Sequence, residues 1–215
     1  MNKNPFRNYF LLIIAIICSC GCNSSSEQSL PHIDLNTYEY SDSIKNIKIT
    51  LNLPHDNIIS PSEKKEFLKA VFKKEINNID SILSITLSEH KNSSTDVNIL
   101  YVDEKVISAK FTIRNWTYGG DTLTENSYIS YLRKPKAKLT LESIVNSPAE
   151  IDILTNMINQ EDNSDIFLSP DVNISILGDS LSFHYNKLSP NGLKISFDID
   201  DIMDKFQKFK TTYND

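Results

Sequence analysis

"VNISILGDSLSFHY", residues 172–185, decides the class of fold. On either side of Gly178-Asp179 apolar and polar residues alternate: Ile174 and Ile176 against Asn173 and Ser175, then Leu181 and Phe183 against Ser180 and Ser182. A period of two marks a half-buried strand. A two-residue connection that begins with glycine suits a type II′ turn, whose twist matches that of antiparallel strands. The stretch predicts a β-hairpin. By the same alternation His184, between Phe183 and Tyr185, is expected to point outward.

The pattern extends in both directions. Pro190-Asn191-Gly192 turns the chain into "LKISFDI" (193–199), where Leu193, Ile195 and Phe197 alternate. Asp198 or Asp200 then caps a closing helix whose inward residues are Ile202, Met203, Phe206 and Phe209. Upstream, "NIKITLNL" (46–53) reads as a strand, and "VNILYV" (97–102) with "KVISAKFTIRNW" (105–116) as a hairpin. "TYGGDTLTEN" (117–126) reads as a turn and "SYISYLR" (127–133) as the next strand. Ser60-Pro61-Ser62-Glu63 and Ser147-Pro148-Ala149-Glu150 are helix starts. The serine caps, the proline suits the first helical position, and the glutamate closes a capping box. The first helix runs to about residue 83, with Leu68, Val71, Phe72 and Ile76 in its stripe and Lys64, Lys65, Lys69, Lys73 and Lys74 on a solvated face. The second runs to about Gln160 over Ile151, Leu154, Met157 and Ile158. The prediction is an α+β domain: a twisted antiparallel β-sheet with about three helices packed on one face.

The N-terminus has a different character. Lys3 and Arg7 precede the apolar run Phe10–Ile17, which is too short to cross a bilayer and fits a secretory leader. The three cysteines of the chain, Cys18, Cys20 and Cys22, follow directly. Ile17-Cys18-Ser19-Cys20 satisfies a bacterial lipoprotein signal, which wants an aliphatic residue, any residue, a small residue and then the lipidated cysteine. Lipidation is therefore assigned to Cys20, with Cys22 as the alternative. A metal site would need further ligands, which C-x-C-x-C alone does not supply. Residues 1–19 are read as the lipoprotein signal peptide, 20–43 as lipid anchor and polar tether, and 44–215 as a single domain. These features place the protein in the bacterial cell envelope, extracytoplasmic and attached to the membrane by lipid.

Composition narrows the function. The net charge is −6; the leader holds two bases and no acid, so its removal would leave −8. Such a surface disfavours nucleic acid. His32, His55, His90 and His184 show no ligand spacing, and no hydrolase elbow, P-loop or dinucleotide fingerprint occurs. "DIDDIMD" (198–204) has Met203 where a calcium loop needs glycine, so its acids are read as helix caps. No metal, no cofactor and no enzymatic activity are expected. The sequons at Asn92 and Asn115 carry little weight beside a bacterial lipoprotein signal. Four Asp-Ser/Thr-aliphatic triplets, at Asp42, Asp80, Asp121 and Asp179, resemble a bacterial O-glycosylation motif but are short enough to arise by chance.

Two segments carry a family resemblance. "FTIRNWTYGGDTLTENSYISYLRKPKAKLTLESIV" (111–145) has a strand, a Tyr-x-Gly-Gly turn, a strand and a Leu-Thr-Leu lead into a helix. "LSFHYNKLSPNGLKISFDIDDIMDKF" (181–206) has Phe-x-Tyr-Asn, then a glycine, an Ile-x-Phe strand and a short helix. Together they resemble the extracytoplasmic domain of RsiV-like, lysozyme-sensing anti-sigma factors, which also accompanies some peptidoglycan deacetylases. The family turn usually continues Gly-Gly-Ala-His, whereas Gly119-Gly120-Asp121-Thr122 stands here. The resemblance implies a stand-alone binding domain for a lysozyme-like protein or peptidoglycan. Alternatives are an accessory lipoprotein of an envelope assembly and, ranked lower, a cell-wall glycan hydrolase. The implied contact surface is the turn Trp116, Tyr118, Gly119, Gly120 and Asp121, in which aromatic area and one charge would meet a partner. The competing reading is that Trp116 fills the core at a strand end.

Overall fold

The computed structural model describes residues 33–72, 92–116, 119, 120, 122–162, 166–170, 172–185 and 193–214. The elements are β1 (Leu35–Asp42), β2 (Ile47–Pro54), α1 (Pro61–Phe72), β3 (Ser93–Val102), β4 (Val106–Trp116), β5 (Thr122–Leu132) and β6 (Ala137–Lys138). A 3-10 turn (Leu141–Ser143) follows, then α2 (Pro148–Asp162), β7 (Asn173–Leu177), β8 (Ser180–Tyr185), β9 (Leu193–Asp198), α3 (Ile199–Lys205) and α4 (Gln207–Asn214). The strands form one sheet in the order β1-β2-β3-β4-β5-β7-β8-β9, with β6 on β5. The α+β class is as expected, and among the described residues it takes the form of an open, mixed sheet of nine strands with four α-helices.

The hairpin of 172–185 forms as read. Leu177 pairs with Ser180, and Gly178 takes φ +60°, the left-handed conformation a type II′ turn demands of its first central residue. Two joins, β2 to β3 and β5 to β7, are parallel. Parallel neighbours need a crossover of a dozen or more residues, and the two Ser-Pro-x-Glu helices lie in these crossovers. Ser60 Oγ accepts the N–H of Glu63, and Ser147 Oγ that of Glu150, each at 3.3 Å. Glu63 does not close its box. Its carboxylate instead takes Arg133 in a two-pronged contact of 2.6 and 3.0 Å, tying α1 to the end of β5.

Alternation along β4 and β5 separates two cores. Ile107 and Tyr131 belong to one, with Ile49, Leu51 and Val97 from the sheet and Phe67 and Leu68 from α1. Their neighbours Val106 and Leu132 point the other way, into a core with Ile174, Phe183, Leu154, Ile202, Phe206 and Phe209. Leu139, Leu141, Ile144 and Val145 fill the second core around the 3-10 turn.

Four sequence expectations are corrected. Leu35–Asp42, assigned to the tether, is a strand paired with β2 along its length; its ladder comes from β2's edge, which a polar sequence does not announce. Thr122–Asn126, read as turn, continues β5 as far as Thr122 opposite Trp116, because hairpin pairing persists past the last buried residue. Lys64, placed on a solvated face, is 2% exposed, its ammonium 2.6 Å from Asp56 Oδ1. The closing helix is broken at Phe206, whose ψ of 93° leaves the helical region. The extension of α1 to residue 83 lies outside the described residues.

Candidate functional site

The β4–β5 ladder runs without a break from Val106 opposite Leu132 to Trp116 opposite Thr122. Its end is held from the side as well, since the Trp116 N–H donates to Asn92 O at 2.9 Å. Trp116 is 37% exposed and joins neither apolar core, so it does not fill the interior. Gly119 and Gly120 are exposed with open space around them, and Gly120 takes φ +86°, which a side chain would strain. Below the indole, on the same face of the hairpin, Arg114 pairs with Asp96, and Thr112 Oγ1 donates to Asn126 Oδ1 at 2.9 Å. The strand end is therefore rigid and polar, with an aromatic ring at its rim. Tyr118, Asp121 and Cys20 lie outside the described residues.

His184 departs from the sequence reading. It does lie on the opposite face from Phe183, but that face is covered and the residue is only 6% exposed. Its ring stacks on Tyr128 at 3.7 Å between centroids, and its Nε2 lies 2.7 Å from Ser175 Oγ. Burial, with the charge of Lys194 adding to it, pushes the imidazole down to about 4. Ser175 is fully buried, so this serine–histidine contact holds β7 to β8 and is closed to any substrate.

At the other end of the sheet a recess of about 470 Å³ is lined by Asp103, Lys105, Asp179, Asp198, Met203 and Tyr213, among others. Its polar groups serve the fold. Asp103 Oδ1 accepts the N–H groups of Lys105 and Val106, both at 2.7 Å, and Oδ2 accepts the Tyr101 hydroxyl at 3.1 Å. Asp198 caps α3, and the Lys105 ammonium lies 4.6 Å from the centroid of the Tyr213 ring. Burial and the nearby Asp103 carboxylate push Tyr101 up to about 12. Among the described residues no three histidine, cysteine or acidic side chains gather as a metal site.

No family model matches the chain. No curated protein matches it either. Solved structures do. A DUF3298 family protein from Bacteroides fragilis aligns with a TM-score of 0.54 at 14% identity, over 83% of this chain and 93% of its own. A DUF3298 family protein from Pseudomonas aeruginosa aligns with a TM-score of 0.48 at 10% identity, over 82% and 94%. The likeness to the Bacteroides protein is one of fold.

Proposed function

We propose that this chain is a lipid-anchored binding module of the bacterial cell envelope that recognises a lysozyme-like protein or peptidoglycan through the end of the β4–β5 hairpin. The observation that carries this reading is Trp116, an aromatic side chain kept at the surface by a fully paired strand end. Rigid aromatic area at low entropic cost is what recognition surfaces use. Support also comes from the resemblance of residues 111–145 and 181–206 to RsiV-like domains and from the lipoprotein signal before Cys20. The net charge of −6 favours a basic partner such as a muramidase. The module works by binding rather than by catalysis, and its anchor is a lipid on Cys20.

The test is binding of the full chain, in detergent, to a basic muramidase and to purified peptidoglycan at low and physiological salt. Trp116→Ala should lower affinity at least tenfold, and Asp121→Lys should slow association most at low salt. If wild-type protein binds neither probe, the reading fails.

A further inference from the structure

Four Asp-Ser/Thr-aliphatic triplets occur in the sequence, and the fold separates them. Asp179-Ser180-Leu181 is built into the β7–β8 hairpin. Ser180 is half-buried between Leu177 and Asp198 of the flanking strands, and Leu181 is fully buried in the second core. Asp121 and the whole of Asp80-Ser81-Ile82 lie outside the described residues. Thr122 and Leu123 are paired into β5, with Thr122 directly opposite Trp116. At such a pair the Cβ atoms are about 5 Å apart, so the indole crowds that hydroxyl.

Asp42-Ser43-Ile44 is placed differently. Asp42 ends β1 opposite Ile47, and residues 43–46 turn the chain into β2. Asp42 Oδ1 accepts the N–H groups of Ile44 at 2.9 Å and Lys45 at 3.1 Å, the local bonding by which aspartate closes turns. Asn46 takes φ +53°, a left-handed conformation that asparagine tolerates. The turn held in this way leaves Ser43 exposed, its hydroxyl without a hydrogen bond among the described residues. Ile44 is 96% exposed and enters neither core. A lone exposed apolar side chain is ordinary. What sets Ile44 apart is its company, because acid, hydroxyl and aliphatic group are gathered on one outward turn.

We propose that Ser43 is a modification site, the acceptor of an O-linked glycan added outside the cytoplasm. The inference rests on the envelope location proposed above and adds a covalent site to it. An enzyme that reads three successive side chains must close around all of them. An exposed turn permits that, whereas a buried leucine or a crowded strand does not. In the transfer, Ser43 Oγ attacks the anomeric carbon of a sugar held on a lipid diphosphate. The bond from that carbon to Oγ forms as its bond to the diphosphate oxygen breaks. The lipid diphosphate leaves with the electron pair, and the hydroxyl proton passes to a basic side chain of the transferase. Ser43 supplies the nucleophile, Asp42 the turn and a neighbouring charge, and Ile44 an apolar group that gains by burial against the enzyme. Three strand spacings, about 14 Å, separate β1 from β4, so a glycan at Ser43 leaves Trp116 open.

The experiment is mass spectrometry of the full chain, intact and as peptides, produced in its own bacterium. It compares wild type, Ser43→Ala, Asp42→Asn, Ile44→Asn, Thr122→Ala and Ser180→Ala, with circular dichroism confirming that each is folded. In wild type the peptide that holds Ser43 should be heavier by one or more sugar residues. Ser43→Ala should lose that mass, and Thr122→Ala and Ser180→Ala should keep it. Asp42→Asn retains the acceptor that closes the turn, and Ile44→Asn removes only the aliphatic group. Each should lower occupancy at least tenfold, and wild-type occupancy in both would overturn the triplet as the signal. A bare Ser43 in protein lipidated at Cys20 would overturn the site while the envelope reading stands. A bare Ser43 in protein without that lipid would overturn both. A glycan on Ser43 of protein without lipid would keep the site and remove the anchor.

Discussion

His184 shows what one residue contributes and what its neighbours hide. Its imidazole titrates near 4 in the fold and near 6.5 in an unfolded chain, so the folded state holds fewer protons between those values. The neutral ring's contribution is complete above about pH 6.5 and is lost as pH falls toward 4, by about 3 kcal/mol at most. Urea denaturation at pH 7, 5.5 and 4.5 should show that decline, and His184→Gln should flatten it relative to wild type. Alternation in the sequence sets His184 opposite Phe183, and that much was legible. The cover over it comes from Tyr128, on a strand that neighbours β7 only through a crossover, and local periodicity carries no record of such a neighbour. The same holds for Lys64, whose helical face looks solvated until Asp56 of the preceding loop closes over it.

Among the elements, α1 and the end of β5 depend on one contact. Glu63 and Arg133 are each largely buried, and the guanidinium also donates to Asp103 O at 2.6 Å. Removing the carboxylate by Glu63→Ala would leave that cation without its partner, at a cost of about 1–3 kcal/mol. Urea denaturation at pH 7 reads this as a lower midpoint with an unchanged slope. The Ser-Pro-x-Glu signature gave the helix start correctly through Ser60, yet assigned the glutamate to its local partner. Capping boxes are short-range rules, and a guanidinium seventy residues away outcompeted the box. In the candidate site, the turn after Trp116 was legible from Gly119-Gly120. The extension of β5 to Thr122 was not, because exposed hairpin residues carry no apolar period.

For the whole molecule, the alternating stretches made the class of fold plain, and the two helix starts between strands held the clue to its parallel joins. What periodicity could not supply was which core each helix serves. Ile49 and Ile202 lie in different cores and are both fully buried. Ile49→Val and Ile202→Val should each cost about 1 kcal/mol, and the double variant their sum to within about 0.5 kcal/mol. A larger coupling, measured by the same denaturation series, would show the two cores acting as one. The position of β1 has a mechanical consequence. A pull on the backbone at Leu35 enters β1, whose pairs with β2 from Leu35–Pro54 to Asp42–Ile47 would resist it in shear. Tension that reaches Trp116 passes through β2, β3 and β4 in shear, where many bonds share the strain at once. Among the described residues β7, β8 and β9 join this ladder at the single backbone pair Ile129–Ile174, off the line of pull, and would keep their packing while β1 to β5 bear the force.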